Sequence, residues 1–477
     1  MRVLVWLVGL WVLVGATGGL CGAEKPNVIF ILADDLGYGD LGCFGQASLK
    51  TPNLDRMAAE GMKLTRFYAG STVCAPSRCV LMTGLHTGHC RVRGNGPGQL
   101  EDEDVTVAEV LKEAGYTTAC IGKWGIGNPP PADDPARNGF DHFYGYVNMF
   151  HAHNFYPEFL YRNGEKVPLK NVVADKWKEE RGATLEREGY GVADEKVEYV
   201  PDLLLEDVLG YLDERGADEE GTPFFLYYAL NVPHANNEAG RAEEGGDGME
   251  VADWGRFAKR EEWPGPEKGF AKMIVDIDRG VGAILEKLEE TGMAEDTLVI
   301  FSSDNGPHEE GGHVMEFFNS NGEFRGMKRN LTEGGLRVPT IAWWPGTVAA
   351  GSESAHIGGF QDFLPTCAEL AGVAAPEETD GISLVPTLTG EGEQEAHPYL
   401  YWEFLEKGGK RAVLRGDWKA IQLETIRKPG EPIALYNVVE DVGEERDLSL
   451  EHPELVEELE ALMDEAHVAP EESESGG

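Results

Sequence analysis

Positive charge is scarce in this chain. There are 41 Lys and Arg against 84 Asp and Glu, a formal charge of −43. Such a surface repels nucleic acid and anionic membrane, so neither is expected as a partner. It suits a salty medium, where screening relieves self-repulsion, although an ordinary acidic surface reads the same way. Cysteine is also rare, at seven in 477 residues. Beyond Cys21, only Cys43, Cys74, Cys79, Cys90, Cys120 and Cys367 remain, too few and too scattered for a disulfide scaffold. No C-x-x-C pair occurs, which argues against a zinc site built on thiolates. Cys79 with Cys90 is a candidate disulfide that spacing alone leaves open. Long apolar runs are missing too. The one at residues 3–14 is too short for a comfortable membrane span. Arg2 precedes it and small residues follow, so residues 1–23 read as a signal peptide cleaved after Ala23. The chain is therefore expected to be exported, periplasmic or secreted, and not an integral membrane protein. Cys21 leaves a lipid anchor as the alternative, though Leu20 stands where such signals take a small residue.

What is present is an alternation of buried runs and helix-like segments, which predicts an α/β fold with a largely parallel sheet. Residues 28–33 form a continuous apolar run, as expected of a strand covered on both faces. Thr51-Pro52 opens a helix with Leu54, Met57, Ala58 and Met62 on one stripe. Residues 105–114 and 274–288 read as helices, and 117–121, 223–230 and 297–301 as further strands. Residues 166–199 and 236–269 read as loops or insertions. These elements set a large domain at 24–385. From 386 to 469 the pattern changes to short strands at 399–402, 411–414, 418–423 and 434–437, then a helix at 453–466. That predicts a small antiparallel sheet with a terminal helix. The acidic tail at 470–477 is expected to be disordered.

In open α/β sheets ligands gather at the carboxyl ends of the strands. The predicted strands end at Asp34-Asp35, near Lys123, near His234, and at Asp304-Asn305. Asp34, Asp35 and Asp304 brought together cannot all ionise cheaply without a cation. Oxygen ligands with no thiolate cluster suit a hard ion such as calcium or magnesium. A pair of this kind taken alone reads equally as a turn or a helix cap.

Cys74-Ala75-Pro76-Ser77-Arg78, followed by Leu81, Thr83 and Gly84, has proline placed for a first helical turn. Cys74 then sits at a helix N-terminus, where the dipole favours an anion and lowers a thiol pKa. Arg78 lies one turn on, where it can reach back to an anion. This stretch resembles the signature C-x-P-S-R-x-x-L-x-T-G of the type I sulfatases, and the match from Cys74 to Gly84 is complete. The runs Asp34-Asp35-Leu36-Gly37-Tyr38-Gly39-Asp40, Thr51-Pro52-Asn53-Leu54-Asp55, Ile121-Gly122-Lys123-Trp124, Val232-Pro233-His234, Ser303-Asp304-Asn305-Gly306, Arg325-Gly326-Met327-Lys328 and Glu333-Gly334-Gly335-Leu336-Arg337 follow in that family's order.

The resemblance implies the alkaline phosphatase-like fold and sulfatase activity on sulfate monoesters. It implies that a separate maturation enzyme oxidises Cys74 to Cα-formylglycine. It also implies one calcium ion held by Asp34, Asp35, Asp304, Asn305 and residue 74, with Arg78, Lys123, His234 and Lys328 acting on the sulfate. One hydroxyl of the hydrated aldehyde would take the sulfuryl group, and the second would expel sulfate. The chain departs from the family where Lys123-Trp124-Gly125-Ile126-Gly127 lacks the histidine often assigned to that expulsion. His151 and His153 are the nearest substitutes, His153 favoured, with ordinary loop histidines as the alternative. His313 reads as a loop residue, Arg91 and Arg93 as surface ion pairs, and Trp343-Trp344 as core strand. Two rival functions stay open: a phosphate or phosphonate ester hydrolase, and a non-catalytic glycan-binding protein. The expected substrate is a small or oligomeric sulfated saccharide, with an aryl sulfate as the alternative.

Overall fold

The computed structural model describes residues 25–469, apart from 97, 131, 181–186 and 241–245. The expected signal peptide and acidic tail lie outside the described residues. Ten strands form one sheet: β1 (Asn27–Ala33), β2 (Met62–Leu64), β3 (Thr117–Lys123), β4 (His142–Tyr146), β5 (Phe159–Arg162), β6 (Glu165–Pro168), β7 (Phe224–Ala229), β8 (Thr297–Ser303), β9 (Thr340–Trp343) and β10 (Ser352–Ser354). Their spatial order is β10-β2-β9-β8-β1-β7-β3-β4-β5-β6. The central run β8-β1-β7-β3-β4 is parallel throughout. Antiparallel pairs flank it, β9 against β8 and β5 against β4. The sheet is therefore mixed but mostly parallel, as the alternation predicts.

Strand β1 shows why the run must be apolar. Ile29, Ile31 and Ala33 face one core, and Val28, Phe30 and Leu32 face the other. Helices α1 (Pro52–Glu60), α4 (Val200–Gly216) and α5 (Gly265–Glu290) close the first face. Helices α2 (Cys74–Thr83), α3 (Val107–Glu113) and α6 (Phe363–Leu370) close the second. Each fully buried aliphatic side chain contributes about 2 kcal/mol, so a central strand cannot exchange them for polar residues.

Several boundaries differ from the sequence reading. Met62 is not on the α1 stripe, because the chain turns at Gly61 and Met62 begins β2. Thr51 stands at the N-cap but makes no cap bond; its hydroxyl takes the Gly42 N–H and donates to Asp55 instead. Helix α5 starts nine residues before the expected 274, with Pro266 in its first turn, so it absorbs the end of the segment read as a loop. The 166–199 segment also carries structure, including most of β6. Trp343 is fully buried in β9, as core strand packing requires.

A four-stranded antiparallel sheet follows: β11 (Leu400–Phe404), β12 (Lys410–Arg415), β13 (Trp418–Leu423) and β14 (Ile433–Asn437). Period-two alternation sends Leu400, Trp402 and Phe404 towards Tyr68, Val73 and Leu336 of the large sheet's layer. Tyr401, Val413 and Leu435 point the other way, under Leu459 and Met463 of α7 (Pro453–Glu465). Polar groups join this sheet to the rest. Arg93, expected in a surface pair, is buried with its guanidinium 2.9 Å from Glu403, because the strand closes over it. Arg91 does pair near the surface, with Asp104 at 2.5 Å. Cys79 and Cys90 are free thiols. No helix among the described residues is long and apolar enough to cross a membrane.

Candidate active site

The parallel strands converge on one rim. β1 runs into Asp34-Asp35, β3 ends in Lys123, β7 leads to His234, and β8 leads to Asp304-Asn305. All six side chains are buried. Helix α2 points its amino end at this rim, with Val73 as an extended N-cap and Cys74 as the first residue. Asn95, in a glycine-flanked loop that carries no periodic signal, accepts the Ala75 N–H at 3.1 Å and lies 3.7 Å from the Cys74 sulfur. Sequence reasoning missed it for that reason.

Arg78 is more committed than its spacing suggests. Its Nη2 and Nε donate to Asp304 Oδ2 at 2.8 and 3.1 Å, and its Nη1 donates to the Lys123 carbonyl at 2.7 Å. Nη2 also stands 3.7 Å from Asp34 Oδ1. The thiol of Cys74 is pushed up, not down. Burial, with the charges of Asp34 and Asp304, disfavours the thiolate more than Lys123 and Lys328 favour it.

The carboxylates are divided by their partners. Burial opposes ionisation of Asp34, but the charges of Lys123 and Arg78 outweigh it and hold its pKa far below the usual range. Lys123 Nζ donates to its Oδ2 at 2.7 Å. Asp35 is likewise held low against burial, with Lys328 Nζ at 2.7 Å. Asp304 goes the other way, to about 7, because burial and the Asp34 charge exceed the pull of Arg78. Asn305 Nδ2 donates to Asp35 Oδ1 at 2.7 Å, and Asp304 Oδ1 accepts the Asp35 N–H at 3.0 Å.

Two buried oxygens in this group, Asp34 Oδ1 and Asn305 Oδ1, accept no hydrogen bond among the described residues. Orphaned acceptors beside three carboxylates are what a hard cation would satisfy. The sulfur of Cys74 and single oxygens of Asp34 and Asp304 also lie within 4.8 Å of one another. The donor set thus fits a calcium-type ion.

On the far side, His234 Nδ1 is 2.7 Å from the Ala235 carbonyl, which places the proton on Nδ1 and leaves Nε2 to accept from Lys328 at 3.1 Å. Burial and the Lys328 charge lower His234 to about 3, so it is neutral. Lys328 also reaches Glu310 at 3.3 Å, and Glu310 pairs with Arg329 at 2.7 Å. Neither Glu310 nor Arg329 had a motif to reveal it, although Arg329 adjoins Lys328.

The two histidine substitutes separate. His153 stacks on His234 with centroids 4.7 Å apart and planes at 16°, and its Nδ1 is 3.6 Å from Glu238. His151 packs instead among Tyr146 and Phe159, with Gly189 against its ring. Gly125 has φ +77°, and a side chain there would first meet Arg78 and Lys123. His153 therefore lies against His234, and His151 does not. His313 is structural: it stacks on Phe270 at 3.8 Å and binds Glu267 at 2.7 Å.

The profile of the family described as Sulfatase matches residues 26–373, and that of N-sulphoglucosamine sulphohydrolase, C-terminal, matches 322–467. The chain is 33% identical to N-acetylgalactosamine-6-sulfatase of Canis lupus familiaris, covering 86% of this chain and 74% of that one. It is 33% identical to arylsulfatase A of Bos taurus, covering 92% and 86%. Among solved structures, Ps i-CgsB in complex with k-i-k-neocarrahexaose superposes with a TM-score of 0.75 at 27% identity, covering 93% of this chain and 92% of that one.

Proposed function

This chain belongs to the sulfatase family and is a sulfuric ester hydrolase, and from that premise we propose that it desulfates a saccharide through a formylglycine at position 74. The observation that carries the mechanism is the placement of Cys74 at the amino end of α2, in reach of Asp34 and Asp304 and within the field of Lys123, Lys328 and Arg78. A maturation enzyme converts the thiol to the aldehyde, whose hydrate supplies two hydroxyls on one carbon. Asp34, Asp35, Asp304, Asn305 and residue 74 would hold a divalent ion of the calcium type. When bound, that ion withdraws charge from a sulfate oxygen.

The chain's own groups do the rest. Asp304, whose carboxylate lies beside residue 74, takes the proton of the attacking hydroxyl. Lys123 and the α2 terminus stabilise the charge on the sulfate oxygens as the S–O ester bond breaks. Lys328 delivers a proton to the departing alcohol oxygen. His234 is the neutral acceptor that aims this ammonium, because its own proton is turned to the Ala235 carbonyl. The second hydroxyl then loses its proton, the aldehyde reforms and sulfate leaves. We assign that last proton to His153, backed by Glu238, in the absence of a histidine at Gly125.

Relatives named for N-acetylgalactosamine-6-sulfate, and a solved relative holding neocarrahexaose, support a sulfated saccharide as substrate. The chain is proposed to be exported, so that it meets extracellular glycans. The test is peptide mass spectrometry at residue 74 of native enzyme, with turnover of sulfated saccharides, 4-nitrophenyl sulfate and 4-nitrophenyl phosphate. Aldehyde at position 74 and release of sulfate but not phosphate are expected. A fully active enzyme carrying an intact thiol would refute the mechanism.

A further inference from the structure

Near Cys74 lies a group of cations that the reaction does not use. Cys74 is 1% exposed, whereas the side chain of Arg329 is 30% exposed and Lys407 lies open to solvent. Arg329 is tied to the nucleophile's own segment, its N–H donating to the Thr72 carbonyl at 2.9 Å. Its carbonyl accepts Lys410 Nζ at 2.7 Å. Lys410 opens β12, and Lys407 sits in the turn between β11 and β12. Glu406, in that same turn, accepts the Asn95 N–H at 2.7 Å, and Asn95 in turn touches the Cys74 sulfur. The turn before β12 therefore packs against the loop that touches Cys74.

These cations make one ion pair among the described residues, although Glu406 and Glu424 lie near them. In a chain of net charge −43, neither Lys407 nor Lys410 has a carboxylate at ion-pair distance among the described residues. Arg329 has one, Glu310. Burial, Lys407 and Arg329 lower the pKa of Lys410, and Glu424 is the carboxylate that opposes them. Two of the three also hold strained backbone: φ is +75° at Arg329 and +53° at Lys407, in the left-handed region where side chains are disfavoured. Strain of this kind persists where the surroundings impose it, and it gathers at ligand sites.

We propose that Arg329, Lys407 and Lys410 form a subsite for a second anionic group, a sulfate or carboxylate, carried by the saccharide beyond its scissile ester. The proposal rests on the sulfatase reading and narrows its substrate class to saccharides with at least two anionic groups. It also gives the acidic surface a consequence. A long polyanion is repelled by the body of the protein, while a short one can be held by this group of cations.

The test uses the unconverted Cys74 protein, which binds without turnover, and isothermal titration at low salt. The probes are N-acetylgalactosamine 6-sulfate, its 4,6-disulfate, and a monosulfated disaccharide carrying a uronate. Either two-anion probe is expected to bind about tenfold tighter than the monosulfate. Lys407→Gln should shrink the preference, and Lys407→Gln with Lys410→Gln should abolish it. The paired arginine substitutions, Lys407→Arg with Lys410→Arg, should keep it. The sulfate and uronate arms show which anion is preferred. Equal affinity for one- and two-anion probes, a preference that survives the double glutamine change, or no binding by either two-anion probe would overturn the subsite. Failure of the sulfatase reading shows separately, as no sulfate release by protein whose residue 74 is aldehyde.

Discussion

Lys419 of the small sheet ends 2.9 Å from Glu333 of the large domain, and both side chains are fully buried. Glu333 also receives the Tyr68 hydroxyl at 3.0 Å and Arg337 at 3.3 Å. Glu444 stands 3.4 Å from Lys419 and accepts the Glu333 N–H. One ammonium thus faces two carboxylates at the junction of the two sheets. Replacing it by Lys419→Met leaves Glu444 without its cation, and breaking a buried pair in this way costs about 3–5 kcal/mol. Thermal unfolding should show a drop of roughly 5 °C or more. An unchanged melting temperature would mean that the junction is held by its apolar contacts alone.

His153 and His151 should answer differently to alanine. His153→Ala removes the ring stacked on His234 and is expected to slow sulfate release in a single turnover by about 10²- to 10⁴-fold. His151→Ala leaves a gap among Tyr146 and Phe159 and should cost about 2 kcal/mol of stability while release continues. Native release rates in both variants would remove His153 from the mechanism.

Chelation should act on the fold as well as on activity. Without an ion, Asp34, Asp35 and Asp304 keep their mutual repulsion, and Asp34 Oδ1 and Asn305 Oδ1 have no partner among the described residues. A ligand present at about 100 times its dissociation constant adds about 2.7 kcal/mol. EDTA is therefore expected to lower both the melting temperature and turnover, with calcium restoring both. Asp34→Asn should be much less sensitive to chelation. If EDTA changes neither property of the native protein, the carboxylate cluster is not a metal centre.

Asp40 sets a pH dependence. Burial pushes its carboxyl from 3.8 to about 7, against the hydrogen bond that it accepts from the Gly37 N–H. The folded chain therefore keeps a proton that the unfolded chain releases near pH 4. Stability from this group is complete below the unfolded pKa and is lost as pH rises towards 7. Asp40→Asn removes that loss, so its advantage over the native protein should grow by on the order of 2 kcal/mol between about pH 5 and about pH 8. Denaturant unfolding at the two pH values measures it. An equal effect at both would show that Asp40 ionises freely in the fold.

Much of this protein follows from local pattern. The apolar run of β1, the proline after Cys74 and the carboxylates at strand ends are properties of neighbouring residues, and a parallel sheet must place its strand ends on one rim. Cys74, the strand-end carboxylates and the two lysines could therefore be picked out as candidates from spacing and family motif. Burial could not. The thiol of Cys74 rises although its helix position argues for a fall, and Asp34 and Asp304 part company although both are strand-end aspartates.

Contacts between distant segments were equally out of reach. Periodicity says nothing about which of His151 and His153 will meet His234, or that Asn95 will reach the Cys74 sulfur. Nor does it place Lys410 against Arg329, 81 residues away. Chain order determines which chemical groups are available and which face of a strand or helix they take. The closing of the two sheets on one another determines their distances and their dielectric surroundings, and those decide which groups carry charge and which can touch a substrate.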